Sequence, residues 1–158
     1  FIPGDAEQLS FPSGQDLIVS CSALQWFVSP ELFFKRCNAL LSGHGYFAFS
    51  TFGKENLKEI AAVTGSGLHY YSLEELKKSL SMHYNIVTAG EERIRLTFAT
   101  PLDVLYHLKH TGVTAVCRQA WTKGDLQEFC DKYAKLFSCG NAVTLTYHPL
   151  YIIARKKP

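Results

Sequence analysis

Nowhere do the 158 residues hold about eighteen consecutive apolar side chains, the length a bilayer-crossing helix needs. Nor does a basic-then-apolar leader open the chain. Neither a membrane span nor a targeting segment is therefore expected. Internal repeats and low-complexity segments are lacking as well. Charge of one sign is not in excess: 16 basic against 14 acidic residues leave a net charge of +2, too balanced for a nucleic-acid surface. The only methionine is Met82, so Phe1 is not an initiator residue. Cys21, Cys37, Cys117, Cys130 and Cys139 are odd in number and lack close ligand-type spacing, so reduced thiols in a cytoplasmic protein are expected. What is present is apolar mass. With 47% hydrophobic residues the chain can bury one substantial core, and one domain is the expectation.

Phe1-Ile2 followed by Pro3-Gly4-Asp5 reads as the tail of a strand entering a turn. Asp16 to Ser20 is a continuous apolar strand of the kind buried on both faces of a parallel sheet. Ser29-Pro30-Glu31 starts a helix, with Ser29 as its N-cap. Leu32, Phe33, Cys37, Leu40 and Leu41 recur along it at helical spacing, and Gly43 ends it. Gly45–Ser50 is a second buried strand, so this β-α-β run implies a parallel pair and a right-handed crossover.

A loose helix is expected over Lys54–Val63, broken by Thr64-Gly65-Ser66-Gly67, and Ser72-Leu73-Glu74-Glu75 is a capping box. Tyr84–Ala89 and Glu92–Ala99 read as strands around a hairpin-like turn. Thr100–Asp103 and Thr122–Asp125 start two further helices, the first with Leu102, Leu105 and Leu108 inward. Ala142–Ala154 is one strand with a bulge at Pro149. The class is α/β.

Phosphate loops of the Walker type, His-Glu-x-x-His, Gly-x-Ser-x-Gly and Cys-x-x-Cys are all missing. Gly43-His44-Gly45 and Gly65-Ser66-Gly67 lack the strand-then-helix context of a dinucleotide fingerprint. His107 and His110 share a helix but have no accompanying carboxylate or third ligand, so no metal site is expected. One stretch remains unexplained. The strand ending at Ser20 empties into Cys21-Ser22 and then shows Gln25-Trp26. Ligands of doubly wound sheets sit at the carboxyl ends of strands, so Trp26 either walls a pocket or anchors the next helix.

Gly4-Asp5-Ala6-Glu7-Gln8-Leu9, Asp16–Ser20, Leu24-Gln25-Trp26 and Leu40–Tyr46, in this order, resemble class I S-adenosylmethionine-dependent methyltransferases from their third strand onward. Ala23-Leu24-Gln25-Trp26 is similar to the narrower group that methylates malonyl-acyl-carrier protein in biotin synthesis. So are Phe98–Pro101, His107-Leu108-Lys109-x-Thr111-Gly112-Val113, Trp121-Thr122 and Leu145–Tyr151. The resemblance covers essentially the whole chain as the C-terminal portion of one domain. It implies four strands in the family's order 4-5-7-6, the last antiparallel, with a helical insertion at about 101–138. The family's first strand, its Gly-rich turn and the acidic residue after its second strand have no counterpart here.

By the same resemblance, Asp5 and Ala6 meet the adenine of S-adenosylmethionine, the backbone at Ser20 receives its methionine ammonium, and Gln25, counted with the cofactor residues, walls the methyl-transfer pocket with Trp26. Trp26, His69, Tyr71, Lys109 and Arg118 are the substrate contacts. No catalytic acid or base is implied: a malonyl carboxylate is an anion at neutral pH, so positioning suffices. The implied partner is malonyl-acyl-carrier protein, with no nucleic acid and no membrane, and S-adenosylhomocysteine is the coproduct. A methyltransferase for another small carboxylate and a non-catalytic remnant are the alternatives. With the first two strands missing, Asp16–Ser20 becomes an unprotected edge, and either self-association through it or poor solubility is expected.

Overall fold

The computed structural model describes residues 2–113 and 121–158. In chain order the elements are β1 (Gln15–Cys21), α1 (Pro30–Leu40), β2 (Leu41–Phe52), α2 (Lys58–Thr64), α3 (Leu73–Leu80), β3 (Tyr84–Glu91) and β4 (Ile94–Phe98). Then follow α4 (Pro101–His110), α5 (Lys123–Phe137), β5 (Ser138–Cys139), β6 (Ala142–Tyr147) and β7 (Pro149–Lys156). They form two compact units. The first comprises Phe1–Lys54, His69–Glu92 and Pro149–Pro158; the second comprises Glu55–Leu68 and Arg93–His148.

The first unit holds a four-stranded sheet in the order β1-β2-β7-β3. β1 and β2 are parallel, and β7 runs antiparallel to both β2 and β3. This is the expected 4-5-7-6 arrangement with an antiparallel last strand. One face of the sheet carries the core. Phe47 and Phe49 of β2 and Leu150 and Ile152 of β7 meet Phe33, Phe34 and Cys37 of α1 and Leu76 and Leu80 of α3. Tyr84 is buried among these rings, and its hydroxyl donates to the Phe34 carbonyl at 2.8 Å, satisfying its one polar atom. The same burial pushes the Cys37 thiol up to about 12, partly offset by Arg36 beside it, so Cys37 is an inert core residue.

The opposite face is open. Leu17 and Val19, expected to be covered on both sides, are 56% and 58% exposed, and Tyr46, Tyr151 and Ile153 on neighbouring strands are exposed too. Continuous apolar character in β1 therefore does not mark a strand buried on both faces here. Ile2 is exposed outside any strand, which corrects the strand tail expected at the start, so far as the described residues go.

Other local expectations shift for identifiable reasons. α1 ends at Leu40, not at Gly43, because Leu41 is already extended and paired with Gln15. Gly45 is needed where the backbones crowd: a Cβ there would lie 2.8 Å from the Gln15 carbonyl oxygen. The Ser29 side chain makes no capping bond. Its place is taken by Glu7, whose two carboxylate oxygens accept the Val28 and Ser29 N–H groups at 2.9 Å each. The expected hairpin is absent: β3 continues through Gly90 and Glu91, paired with β7, while β4 joins a different sheet. The last expected strand is two strands parted at His148, with Pro149 starting β7 rather than bulging it.

The second unit contains a sheet in the order β4-β6-β5, all antiparallel, with α2, α4 and α5. The helices expected at about 101–138 are thus accompanied by three strands. Val104 and Leu108 of α4 and Phe129 and Tyr133 of α5 pack on Val143 and Leu145 of β6. Leu102, expected inward, is exposed, because the 3.6-residue period turns Val104 to the core. α4 and α5 begin with capping boxes built on Thr100 with Asp103 and on Thr122 with Asp125.

Candidate active site

Two loops of the first unit reach the region where β1 ends. One runs from Gly4 to Leu9, where Asp5 shapes the chain. Its Oδ1 accepts the Glu7 N–H at 2.9 Å, its Oδ2 accepts from Gln8 Nε2 at 2.8 Å, and its carbonyl receives the Gln8 and Leu9 N–H groups. The Asp5 carboxylate stays exposed with lone pairs to spare. Beside it, the Ala6 N–H has no acceptor among the described residues.

The second loop leaves β1 after Ser20, which pairs with Phe49, and Cys21, which pairs with Ser50. Ser22 then takes a left-handed conformation (φ 50°) uncommon outside glycine and asparagine, and its N–H is held by the Ser50 carbonyl at 3.0 Å. Gln25 spans the turn: its Nε2 donates to the Ser22 carbonyl, and its Oε1 accepts from Thr51 Oγ1 at 3.2 Å. Gln25 is therefore a brace between the ends of β1 and β2. The short 3-10 turn Leu24–Trp26 buries Leu24 and leaves Trp26 49% exposed. Phe27, packed edge-on to Phe33 at 4.6 Å, is the residue of this loop that packs on the core beside the helix. The indole is free to wall something else.

His69 and Tyr71 also belong to the first unit, their rings perpendicular with centroids 4.9 Å apart. Lys109 is exposed on α4 of the second unit, and Arg118 lies outside the described residues. The chain thus brings Asp5, Ala6, Ser20, Gln25, Trp26, His69 and Tyr71 into one compact unit, without Lys109.

The sequence reading missed a buried polar cluster in the second unit. Glu59 of α2 is 2% exposed, and its carboxylate accepts the N–H of Thr146 at 3.0 Å and the Thr146 hydroxyl. His148 Nδ1 accepts the Glu55 N–H at 3.1 Å, and the His148 N–H donates to the Asn56 side chain at 3.2 Å. The one sequence signal was Glu59 flanked by apolar Leu57, Ile60 and Val63 on a helix face.

Residues 1–49 match the family model described as a methyltransferase domain. Over 99% of its length the chain is similar to the malonyl-[acyl-carrier protein] O-methyltransferase of Bacteroides thetaiotaomicron, 56% identical across 167 aligned residues. The chain is thus similar to methyltransferases over nearly its whole length. A second relative of the same name, from Bacteroides fragilis, is 58% identical over 158 residues and 99% of this chain. The chain spans 64% of the first relative's length and 32% of the second's. The methyltransferase fold is also met in a crystal structure of a candidate methyltransferase from Bacillus halodurans. That structure aligns with a TM-score of 0.65 at 17% identity, covering 98% of this chain and 70% of the other. No helix of the described residues is long and apolar enough to cross a membrane.

Proposed function

We propose that the protein transfers the methyl group of S-adenosylmethionine to the free carboxylate of a malonyl group held on acyl carrier protein, a step of biotin synthesis. The observation that carries this reading is identity of 56% and 58%, over nearly every residue present, to two relatives named for that reaction. A cytoplasmic location goes with it.

The residues present fit the cofactor. Adenine needs an acceptor for its exocyclic amine and a donor for a ring nitrogen. The Asp5 carboxylate, with lone pairs to spare, and the unengaged Ala6 N–H are such a pair. The backbone at Ser20 would border the methionine ammonium, with Gln25 holding the loop in place. When bound, S-adenosylmethionine supplies an electrophilic methyl group on a sulfonium and departs as S-adenosylhomocysteine.

This chain's own task is then alignment and exclusion of water. The acceptor is an ionised carboxylate, so no residue has to take a proton. Trp26 offers an exposed apolar wall against which the malonyl chain can be held at attack distance, roughly 3 Å from the methyl carbon. His69 and Tyr71 offer polar groups for the substrate, and Lys109 and Arg118 are the further cations proposed to meet the malonyl substrate. Esterification hides a charge that would be costly to bury in apolar pockets downstream.

The test is mass analysis of malonyl-acyl-carrier protein after incubation with S-adenosylmethionine and the protein at the length of its relatives. One added methyl on the malonyl chain is expected. Methylation of other small carboxylates alone would overturn the substrate. Failure of S-adenosylhomocysteine to bind would overturn the enzymatic reading.

A further inference from the structure

Within the first unit, α1 and α3 lie side by side on the covered face of the sheet, and a groove of about 600 Å³ runs between their outer surfaces. Its floor is formed by the buried rings and branches of Phe34 and Leu76. Its rim carries Leu32, 62% exposed, and Met82, 77% exposed. Leu32 shares the helical spacing of Phe33 and Cys37 yet belongs to neither core cluster of the described residues. Exposed leucine and exposed methionine give the rim adaptable apolar character.

The charges around the groove divide by sign. Glu75 is already engaged: Lys54 Nζ lies 2.7 Å from its Oε1, and its Oε2 receives the Ser72 N–H and hydroxyl. Glu31 sits in the first turn of α1, where the helix N-terminus offsets its charge. Lys35 and Lys78, by contrast, form no ion pair among the described residues. Two lysines without an ion pair, against one carboxylate, Glu31, that likewise has none and is partly offset by the helix start, leave the balance positive.

The groove also has a direction. α1 starts just beyond the carboxyl end of β1, and α3 leads back to the start of β3, which runs parallel to β2, so both helices begin at the carboxyl edge of the sheet. At that end the groove is lined by Pro30 and Tyr71, and the His69 ring rests against Tyr71.

We propose that this groove is the docking surface for acyl carrier protein, an inference that rests on the function proposed above. An acidic amphipathic helix of the carrier lies along it, apolar side chains on Leu32, Phe34 and Met82 and carboxylates opposite Lys35 and Lys78. Its prosthetic arm passes over Tyr71 toward the carboxyl edge, where Ser20 and Trp26 lie.

The test is fluorescence anisotropy of labelled malonyl-acyl-carrier protein with the full-length protein, paired with steady-state methylation. Lys35→Glu with Lys78→Glu is expected to weaken carrier binding at least tenfold and to raise KM for the carrier, leaving kcat and S-adenosylhomocysteine affinity unchanged. Leu32→Ser with Met82→Ser is expected to weaken binding without changing its salt dependence. Both pairs are exposed, and circular dichroism confirms that the fold persists. A carrier with reversed charges on its acidic helix restores binding to the Lys35→Glu, Lys78→Glu variant. Lys123→Glu with Lys135→Glu on α5 leaves binding as it was. Unchanged carrier binding in both groove variants would overturn the docking surface while leaving the methyltransferase function standing. So would methylation of malonyl-pantetheine by a protein that binds no carrier. No methylation of either malonyl thioester by the unaltered protein would overturn the function, and the docking surface with it.

Discussion

Glu7 accepts the backbone N–H of Ser29 at 2.9 Å, and its other oxygen takes the neighbouring N–H of Val28. This carboxylate caps α1 from 22 residues away and ties the Asp5 loop to the segment that carries Trp26. A charge-assisted bond to a helix start is worth about 1–2 kcal/mol. Glu7→Ala should lower stability by that amount in urea unfolding, and Glu7→Gln by less, since one acceptor oxygen remains. Equal stability of Glu7→Ala and the unaltered chain would mean that water replaces the cap without loss.

Asp5 both holds a turn and is proposed to meet adenine, and two substitutions separate the roles. Asp5→Asn keeps an oxygen for the Glu7 N–H but loses the charge. Asp5→Ala loses both. Loss of a charged hydrogen bond costs about 1.5–3 kcal/mol, roughly ten- to a hundredfold in affinity. Titration calorimetry of S-adenosylhomocysteine into the protein at the length of its relatives should show that loss in Asp5→Ala with the fold kept. An unchanged dissociation constant would make Asp5 a turn residue only.

Glu59 is the buried joint of the second unit. Removing its carboxylate strands the Thr146 N–H and hydroxyl away from water. Glu59→Ala should therefore destabilise by about 1–3 kcal/mol for the orphaned donor alone, plus the cost of the cavity. Thermal unfolding that leaves the first unit's Tyr84 signal unchanged would show that the two units unfold separately.

The Lys54 ammonium and the Ser72 donors bonded to Glu75 hold its carboxyl down at about 2, against an ordinary 4.5. A depressed value means that this stabilisation is present above about 4.5 and is lost as the pH falls toward 2. Urea midpoints of Glu75→Gln should fall less over that window than those of the unaltered chain. Glu55, held to about 2 by Arg93 and Lys58, leaves a residual slope in both. Added salt should narrow the difference, since the pair is exposed.

Most of the first unit is legible because its signals are local. The β-α-β run from Asp16 to Ser50 and the capping box at Ser72 each fit within a few residues of pattern. The division of 84–99 and 142–154 between two sheets is not local. Whether Ala89 pairs with Ile152, or Leu96 with Leu145, depends on partners far away in the chain. Pro149, lacking an N–H, reads equally as a bulge or a strand start. The Glu7 cap is invisible for the same reason of distance, and Ser29, a good capping residue by type, misleads. Among the candidate site residues, Asp5, Ser20, Gln25 and Trp26 stand out by their order. The engagement of both ends of the Gln25 amide required the fold.

The last prediction concerns the open face and edge of the first sheet. Among the described residues β1 pairs with β2 alone, so within these 158 residues its outer N–H and C=O groups face away from the sheet. Leu17, Ile18 and Val19 interpose no lysine, proline or charge, the devices by which natural edges avoid pairing. The face above them is apolar across three strands, through Leu17 and Val19, Tyr46, and Tyr151 with Ile153. Charge approaches it at one end, where the Arg155 guanidinium lies 5.8 Å from the Tyr46 ring centre. A patch of this kind on a 158-residue chain is a surface for association. Light scattering should show mass rising with concentration, and amide exchange along Leu17–Val19 should slow as it rises. Leu17→Lys with Val19→Lys should return the chain to monomer without loss of stability, because both side chains are more than half exposed. A monomer at high concentration, with Leu17–Val19 already exchanging slowly in dilute solution, would show that neither the edge nor the face is a contact surface.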